Sequence, residues 1–194
     1  MVASAANLIG ARGVTATSFT EVLKDSRAPR GSIYYHFPKG KRQLVSDALH
    51  WTTEQILSYQ RTCGADTAAG VLEHFVQLFR LSLSSSECRS GCPVAGVVMD
   101  TYSDRGPFRE IARASFRSWT SLLTEQLVAV GIPRPSARSL SVTTLASVEG
   151  GLILCRAEGA VTPLDLIGQQ LRSLASSLEP KKERRADVRV RSDW

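Results

Sequence analysis

The chain has 194 residues, a net charge of +6 at pH 7 and a hydrophobic fraction of 43%. This length is enough for one small and one larger domain around a buried core. It contains no run of about 18 apolar residues, which a membrane span requires. The first 20 residues also lack the pattern of a secretory signal peptide, in which a positively charged segment is followed by an apolar one. We therefore expect neither secretion nor membrane insertion but a cytoplasmic protein, in which structural disulfides are not expected.

Positive charge is concentrated at the N-terminal end. Residues 1–45 contain seven Lys or Arg against two acidic residues, residues 46–178 contain eleven against twelve, and residues 179–194 contain six against four. Electrostatic attraction to phosphate groups favours the first of these segments as a nucleic-acid-binding domain. The basic tail 179–194 has no hydrophobic periodicity and is predicted to be disordered.

Two short helices are predicted before residue 27. The first covers residues 2–11, has apolar residues on one side and ends at Gly13. Ser18 and Glu21 have the spacing of a capping box, in which each side chain satisfies a backbone N–H group of the other, and this predicts a helix over residues 19–25.

A third short helix is predicted from Pro29, which suits a first helical turn, to the residue before Pro38. A helix of two turns is not stable alone, so Ile33 and Phe37 are expected to anchor it from behind. Its other face, an arc of about 140° at 100° per residue, carries Arg30, Gly31, Tyr34 and Tyr35. This face suits a nucleic-acid groove, since Arg reaches base edges and Gly permits close approach. The alternative is an ordinary surface turn with half-buried tyrosines.

The N-terminal quarter of the chain resembles the DNA-binding domain of the TetR family of repressors. The resemblance is carried by Ala5, Gly13, Thr17, Val22, the run Gly31-Ser32-Ile33-Tyr34-Tyr35-His36-Phe37, Lys41 and Leu44. It implies a helix-turn-helix whose second helix enters the major groove. The expected DNA-binding residues are Thr17, Ser18, Arg30, Gly31, Ser32, Tyr34, Tyr35, His36, Lys39 and Lys41. Two features depart from the family pattern: Pro29 replaces the usual Ser or Thr cap, and the basic N-terminal arm that many relatives carry is either absent or lies outside this sequence.

A long helix over residues 41–62 is predicted to connect the DNA-binding domain to the rest of the chain. Its apolar residues recur at intervals of three and four. Lys39 and Lys41 lie at its start, where the helix dipole disfavours cations, so an approaching phosphate would explain them better. Because this helix begins at the DNA, we expect it to act as a lever.

Five further helices complete an all-α chain without strand signals. They are predicted over residues 67–83 with Asp66 as cap, 94–103, 107–130, 136–157 with Ser136 as cap, and 162–178. The predicted organisation is a three-helix helix-turn-helix domain over residues 1–45, joined by the long helix to a ligand-binding and dimerisation domain over residues 46–178.

The last two helices are predicted to form a dimer interface. Leu and Ile residues recur at heptad spacing in the final helix, and small residues dominate the helix before it. The pair resembles the helices with which TetR-family proteins form a four-helix bundle, which implies interface residues Thr143, Ser147, Gly150, Leu164, Ile167, Leu171 and Leu174. The alternative is that both helices pack only within one subunit.

An effector site is implied by the resemblance, because family members typically enclose a small molecule between the middle helices. The expected lining residues are Trp51, Phe75, Phe79, Met99, Tyr102, Phe116 and Trp119, which favour an aromatic, mostly neutral compound. The alternative is that these residues form an ordinary core. The run Gly91-Cys92-Pro93-Val94-Ala95 further resembles a branch linked to multidrug export control and flavonoid-like ligands. The resulting expectation is a dimeric repressor that a ligand releases from a palindromic operator.

Two other functions compete with this interpretation. Cys88 and Cys92 lie four residues apart, so a thiol redox switch is possible, although reduced structural thiols are the simpler reading. A small helical enzyme is the second, but no nucleophile elbow, phosphate-binding glycine loop or metalloprotease motif occurs. Glu149, beside Gly150, more simply hydrogen-bonds a ligand or a partner helix. No cofactor or metal site is expected.

Overall fold

The computed structural model of the chain describes residues 1–100 and 106–179. Within these residues the chain forms nine helices and no strand, so the all-α prediction is confirmed. The helices are α1 Val2–Arg12, α2 Phe19–Ser26, α3 Ser32–His36, α4 Lys41–Arg61, α5 Ala68–Ser85, α6 Pro93–Asp100, α7 Pro107–Ala129, α8 Arg134–Glu158 and α9 Thr162–Leu178. The predicted disorder of the tail 179–194 lies outside the described residues except at Glu179, and the predicted ligand contact of Tyr102 lies outside them as well.

Several helix ends follow the local sequence. The capping box of Ser18 and Glu21 is present at the start of α2, and Gly13 ends α1 with φ 82°. Thr67, not Asp66, caps α5 by accepting from the N–H group of Gly70 at 3.1 Å. The predicted Ser136 cap of α8 is also wrong, because that helix already begins at Arg134.

Helix α3 is shorter than predicted. It covers five residues, because Pro29, Arg30 and Gly31 form a turn before it rather than its first turn. The carbonyl of Pro29 closes this turn by accepting from both the N–H group of Ser32 at 3.0 Å and its hydroxyl at 2.7 Å. Pro29 is therefore a turn residue, and the α3 helix is held by tertiary contacts rather than by its own length.

The N-terminal helices share a small core. Ile9 of α1, Val22 of α2, Ile33 of α3 and Leu44 of α4 are all buried, together with Phe37 just after α3. Fully burying each such side chain contributes about 1.5–3 kcal/mol. The predicted anchoring of α3 through Ile33 and Phe37 is confirmed.

Helix α4 continues without interruption across residue 45, the predicted domain boundary, and packs on α7 through polar contacts in an otherwise apolar core. The indole Nε1 of Trp119 donates to the carbonyl of Thr53 at 3.3 Å, and the amide Nε2 of Gln60 donates to the carbonyl of Trp119 at 3.3 Å. The hydroxyls of Thr53 and Ser115 lie 2.6 Å apart. These bonds fix the register between α4 and α7.

Helix α1 approaches the start of α6 closely enough to require glycine on both sides. A Cβ at Gly10 would lie 2.3 Å from the carbonyl oxygen of Gly91, and a Cβ at Gly91 would lie 2.5 Å from that of Gly10. A Cβ at Gly96 would lie 3.2 Å from the carbonyl oxygen of Ile9. The N-terminal helix α1 therefore packs backbone to backbone against the rest of the chain.

Helix α8 crosses the centre of the C-terminal helices, between α7 and α9. By length and composition it is apolar enough to cross a membrane, with a mean hydropathy of 1.2 in its most apolar stretch. However, 44% of that stretch is buried inside the protein, and helix α8 packs as a core helix.

Candidate nucleic-acid interface and ligand cavities

The outer face of α3 exposes two large aromatic side chains. Tyr34 and Tyr35 are 71% and 84% exposed, although the rest of the helix is anchored by buried Ile33. Phe19 supports Tyr34 from α2, with the ring centroids 6.0 Å apart in an edge-to-face arrangement. The two exposed phenol rings contribute little to the buried core, which holds α3 through other residues. This face of α3 is therefore suited to contact another molecule.

The predicted DNA-binding residues do not all lie on that surface. Exposed are Ser18, Arg30, Gly31, Tyr34, Tyr35, His36, Lys39 and Lys41. Ser32 is half-buried, and Thr17 is 3% exposed with its hydroxyl donating to the carbonyl of Gly13 at 2.8 Å. The side chain of Thr17 thus stabilises the end of α1, and that of Ser18 is engaged in the capping box.

Exposed cations surround α3. Arg30, Lys39 and Lys41 form no ion pair with any residue in the described part of the chain. The ammonium group of Lys41 donates only to the carbonyl of Thr15, at 3.5 Å. At Gly31 an added Cβ would meet nothing within 4 Å, so internal packing does not explain this glycine.

Gln43 is a supporting residue that sequence reasoning missed. Its side-chain oxygen accepts from the N–H group of Lys39 at 3.1 Å, and its nitrogen donates to the carbonyl of His36 at 3.2 Å. The residue thereby ties the end of α3 and the loop after it to α4. A glutamine in the first turn of a long helix, directly before its apolar residues begin, carries no distinctive sequence signal.

Two cavities lie between the N-terminal helices and the C-terminal helices. The first, with a volume of about 230 Å³, lies among α1, α4, α5 and the start of α6. The second, about 570 Å³, lies among the end of α1, α6, α7 and α8 and is called the α1–α8 cleft below. Gly91, Cys92 and Leu152 border both. The volume of the α1–α8 cleft falls within the range of ligand pockets.

The predicted ligand-binding residues separate into three groups. Trp51 and Phe79 line the first cavity, whereas Met99 and Phe116 line the α1–α8 cleft. Phe75 and Trp119 are 1% and 0% exposed and line neither. For these two, the structure matches the alternative interpretation as core residues, because both rings are fully surrounded by other helices.

Glu149 and Asp100 are the two carboxyl groups that line the α1–α8 cleft, and burial raises the pKa of Glu149 to about 7. A hydrogen bond from the Cys92 thiol opposes this rise in pKa, and the second oxygen of Glu149, Oε1, is buried without a hydrogen-bond partner. Burial, followed by the charge of Glu149, raises the pKa of Cys92 well above its usual value. Cys92 is therefore an unreactive thiol at neutral pH, which weakens the redox alternative.

The cysteines of the predicted redox pair are both free in the structure. Cys88 and Cys92 are each only 8% exposed, whereas redox-sensing thiols are accessible and ionised. Among the described residues, no group of three His, Cys, Asp or Glu side chains is arranged to hold a metal ion.

The predicted dimer residues lie on two different faces of α8 and α9. Leu164 and Leu171 are 0% and 4% exposed within the single chain, and a Cβ at Gly151 would lie 3.1 Å from Leu164 Cδ1. Their assignment to a surface between subunits is wrong, because this side of α9 packs on α5 and α8 of the same chain. Ser147 and Ile167 are half-buried, and Thr143, Gly150 and Leu174 are exposed.

An exposed apolar surface nevertheless exists on these helices. Its largest members are Val142, Ile153, Leu154, Leu166 and Leu174, which are between 43% and 69% exposed. We call these five residues the α8–α9 face. Exposed apolar groups on adjacent helices are typical of a surface that another protein covers.

Arg156 connects α8 to the end of α1 and is a second residue that sequence reasoning missed. Its guanidinium donates to the carbonyl of Gly10 at 3.3 Å and to that of Ala11 at 2.7 Å. These carbonyls end α1, where the helix dipole favours a cation. Arg156 and the glycine contact together hold α1 against α6 and α8.

Comparison with known proteins agrees with this geometry. Residues 2–48 match the profile of bacterial regulatory proteins of the tetR family, and residues 68–170 match that of the C-terminal domain of LmrA/YxaF-like transcriptional regulators. An HTH-type transcriptional regulator of Mycobacterium tuberculosis strain H37Rv is 36% identical over 189 residues, covering 95% of this chain and 96% of its own. LmrA of Bacillus subtilis, also an HTH-type regulator, is 30% identical over 168 residues, covering 84% and 88%.

Solved structures show the same fold. A TetR transcriptional regulator from Legionella pneumophila superposes with a TM-score of 0.80 at 25% identity, covering 90% of this chain and 94% of its own. The sequence matches extend over both the helix-turn-helix and the C-terminal helices. The chain therefore belongs to the TetR family of bacterial transcriptional regulators.

Proposed function

We propose that the protein is a cytoplasmic repressor that binds a palindromic operator as a homodimer and leaves it when a small, largely apolar effector binds. The observation that carries the DNA-binding part is the outer face of α3. There, Tyr34 and Tyr35 are exposed on a helix anchored by buried Ile33, with unpaired cations on both sides. A helix of this kind supplies base contacts, and the flanking cations supply phosphate contacts.

The two classes of contact are assigned to different residues. Arg30 lies in the turn that leads into α3, where a guanidinium can reach a base edge. Lys39 and Lys41 lie after α3, at the start of α4, and are assigned to phosphates. The open space around Gly31 leaves room for the DNA backbone to approach.

This division is tested by gel retardation and footprinting on the DNA just upstream of the coding sequence. Arg30→Ala should cost about 1–3 kcal/mol of specific binding and relax sequence preference at one position. Lys41→Ala should weaken binding to all sequences alike and reduce the slope of log K against log salt by about 1. Arg89→Ala, at an exposed cation in the loop after α5, is the control and should change neither. A change of preferred bases in Lys41→Ala would refute the assignment.

Homodimerisation is assigned to the α8–α9 face. A repressor of a palindromic site needs two reading helices related by a two-fold axis, and an isologous interface supplies that axis. The α8–α9 face is apolar, and its residues extend along two adjacent helices. It thus replaces the buried Leu164 and Leu171 as the proposed interface.

Release is assigned to the cavities that border α1 and α4. A ligand there would favour a different placement of α1 and α4, the helices on either side of the DNA-contacting helix α3. A small rotation of α3 in each subunit would then prevent the dimer from binding both half-sites at once. DNA and ligand would then weaken each other's binding by the same factor, typically equivalent to 1–3 kcal/mol. A titration in which a bound ligand leaves operator affinity unchanged would contradict this mechanism.

A further inference from the structure

We propose that the α1–α8 cleft binds an apolar molecule that carries a protonated amine, with the carboxylate of Glu149 as its counter-ion. This inference rests on the proposed effector role of the cavities and names the chemical class of compound that one of them accepts. It replaces the mostly neutral ligand expected from the sequence.

In the described part of the chain, Glu149 is the one carboxyl group of the cleft with a buried oxygen that has no hydrogen-bond partner. Its Oε1 atom is buried and has no hydrogen-bond partner, and the Cys92 thiol is the partner of the carboxyl group. A buried carboxylate oxygen without a donor is costly, by about 1–3 kcal/mol or more. A ligand that brings a donor to this atom would remove that cost, so the free protein has an acceptor ready.

The other charged groups around the cleft already have partners. Arg12 pairs with Glu21 at 2.5 Å, and Arg156 donates to the carbonyls that end α1. Asp100 accepts from the N–H group of Thr15 at 3.2 Å. These contacts leave the Oε1 atom of Glu149 as the buried carboxyl oxygen of the cleft without a hydrogen-bond partner among the described residues, and a cationic donor is the complement that it lacks.

The remaining lining favours an apolar body attached to that cation. Met99, Phe116, Leu152 and Ile153 contribute side chains from three helices, and Ala95 and the glycines add little polarity. The volume of about 570 Å³ accommodates a fused aromatic ring with a short amine arm. A ligand that carries a carboxylate would be repelled by the like charge of Glu149. A ligand that carries a neutral hydroxyl could donate a hydrogen bond to Oε1 but would not neutralise the charge.

Protonation provides a second signature of this ion pair. Burial raises the pKa of Glu149 to about 7, so the carboxyl group of the free protein is partly protonated at neutral pH. An amine cation stabilises the ionised form and lowers that pKa again. Binding at pH 7 should therefore release protons from Glu149. The nearby Cys92 contributes none, because its pKa is raised well above the usual value.

The test is calorimetric titration of the full-length protein with three probes that share one ring: 1-naphthylmethylamine, 1-naphthalenemethanol and 1-naphthoic acid. We expect the amine to bind at least about tenfold more tightly than the alcohol, as a hydrogen bond between charged groups provides, and the acid more weakly than both. Titrations at pH 7 in two buffers of different ionisation enthalpy should show proton release with the amine alone.

The variant Glu149→Gln should lose both the preference for the amine and the proton release, while its affinity for the alcohol stays within about threefold. The matched control is Glu158→Gln, an exposed glutamate on the same helix, which should bind all three probes as the wild type does. Circular dichroism verifies that both variants are folded. Equal wild-type affinities for amine and alcohol would overturn the inference, and so would an amine preference that survives Glu149→Gln.

These measurements are independent of operator binding. If the amine binds through Glu149 but leaves the operator complex intact, the cation site is established and the proposed release mechanism fails. If the alcohol releases the operator while the amine shows no preference for Glu149, the release mechanism stands and the inference about the cation is overturned.

Discussion

Replacing Glu149 by Gln should make the protein more stable above pH 7 and leave its stability almost unchanged near pH 4. Burial raises the pKa of this carboxyl group from the ordinary 4.5 to about 7. Between these two values the folded state binds the proton more tightly than the unfolded state, so stability falls as pH rises. Above pH 7 the loss is complete, because both states are then ionised.

The size of the effect follows from the two pKa values. A difference of about 2.5 units at about 1.36 kcal/mol each gives about 3 kcal/mol. The wild type should lose that amount of unfolding free energy between pH 4.5 and pH 8, in addition to the changes shared with the variant. Gln cannot ionise, so the advantage of the variant should grow by the same amount over this interval.

Urea denaturation at pH 4.5, 6, 7 and 8 gives the unfolding free energy of the wild type and of Glu149→Gln. The change with pH in the difference between these two free energies measures the effect of ionisation, because any pH-independent difference between Gln and protonated Glu cancels. Glu158→Gln, on the exposed side of α8, is the control and should remain parallel to the wild type. If the difference between Glu149→Gln and wild type is constant from pH 4.5 to pH 8, the carboxyl group does not titrate in a buried site. The reasoning about the cleft would then fail with it.

Two further predictions concern the packing of helices. Gly10→Ala should destabilise the protein by more than about 1 kcal/mol despite the higher helix propensity of Ala, because the new Cβ would lie 2.3 Å from the carbonyl oxygen of Gly91. The control Gly64→Ala, whose new Cβ would meet nothing within 4 Å, should not destabilise the protein. Equal melting temperatures of the two variants would contradict the close contact. Leu154→Asp, in the α8–α9 face and outside both cavities, should yield a folded monomer in sedimentation. The buried Leu171→Ala should instead lower the unfolding free energy by about 2–5 kcal/mol. A dimeric Leu154→Asp protein would place the interface elsewhere.

Much of the secondary structure is readable from local chemistry. The capping box of Ser18 and Glu21 and the break at Gly13 act within a few residues, so sequence alone locates them. The cap of α5 was assigned to Asp66 instead of Thr67 because two adjacent residues have suitable side chains. Which of them faces the helix depends on how the preceding loop enters it.

Contacts distant in sequence were not predictable in the same way. The heptad pattern of α9 correctly indicates a packing seam, but periodicity does not specify whether Leu164 and Leu171 face the same chain or another one. The bond between Arg156 and the carbonyls of α1 joins residues about 145 positions apart, and it depends on the placement of whole helices. The sequence suggested that Glu149 contacts a ligand or helix, but its partner Cys92 and its unused oxygen required the fold.

The glycine contact between α1 and α6 also limits how such regulators can exchange parts. A helix-turn-helix transplanted from a relative would seat only if its first helix carried glycine at the position of Gly10 and ended with carbonyls within reach of Arg156. In a chimera with any larger residue at the position of Gly10, the helix-turn-helix would be displaced from α6 and α8. New operator specificities are therefore more readily obtained by changing the outer face of α3 than by replacing residues 1–45 as a unit.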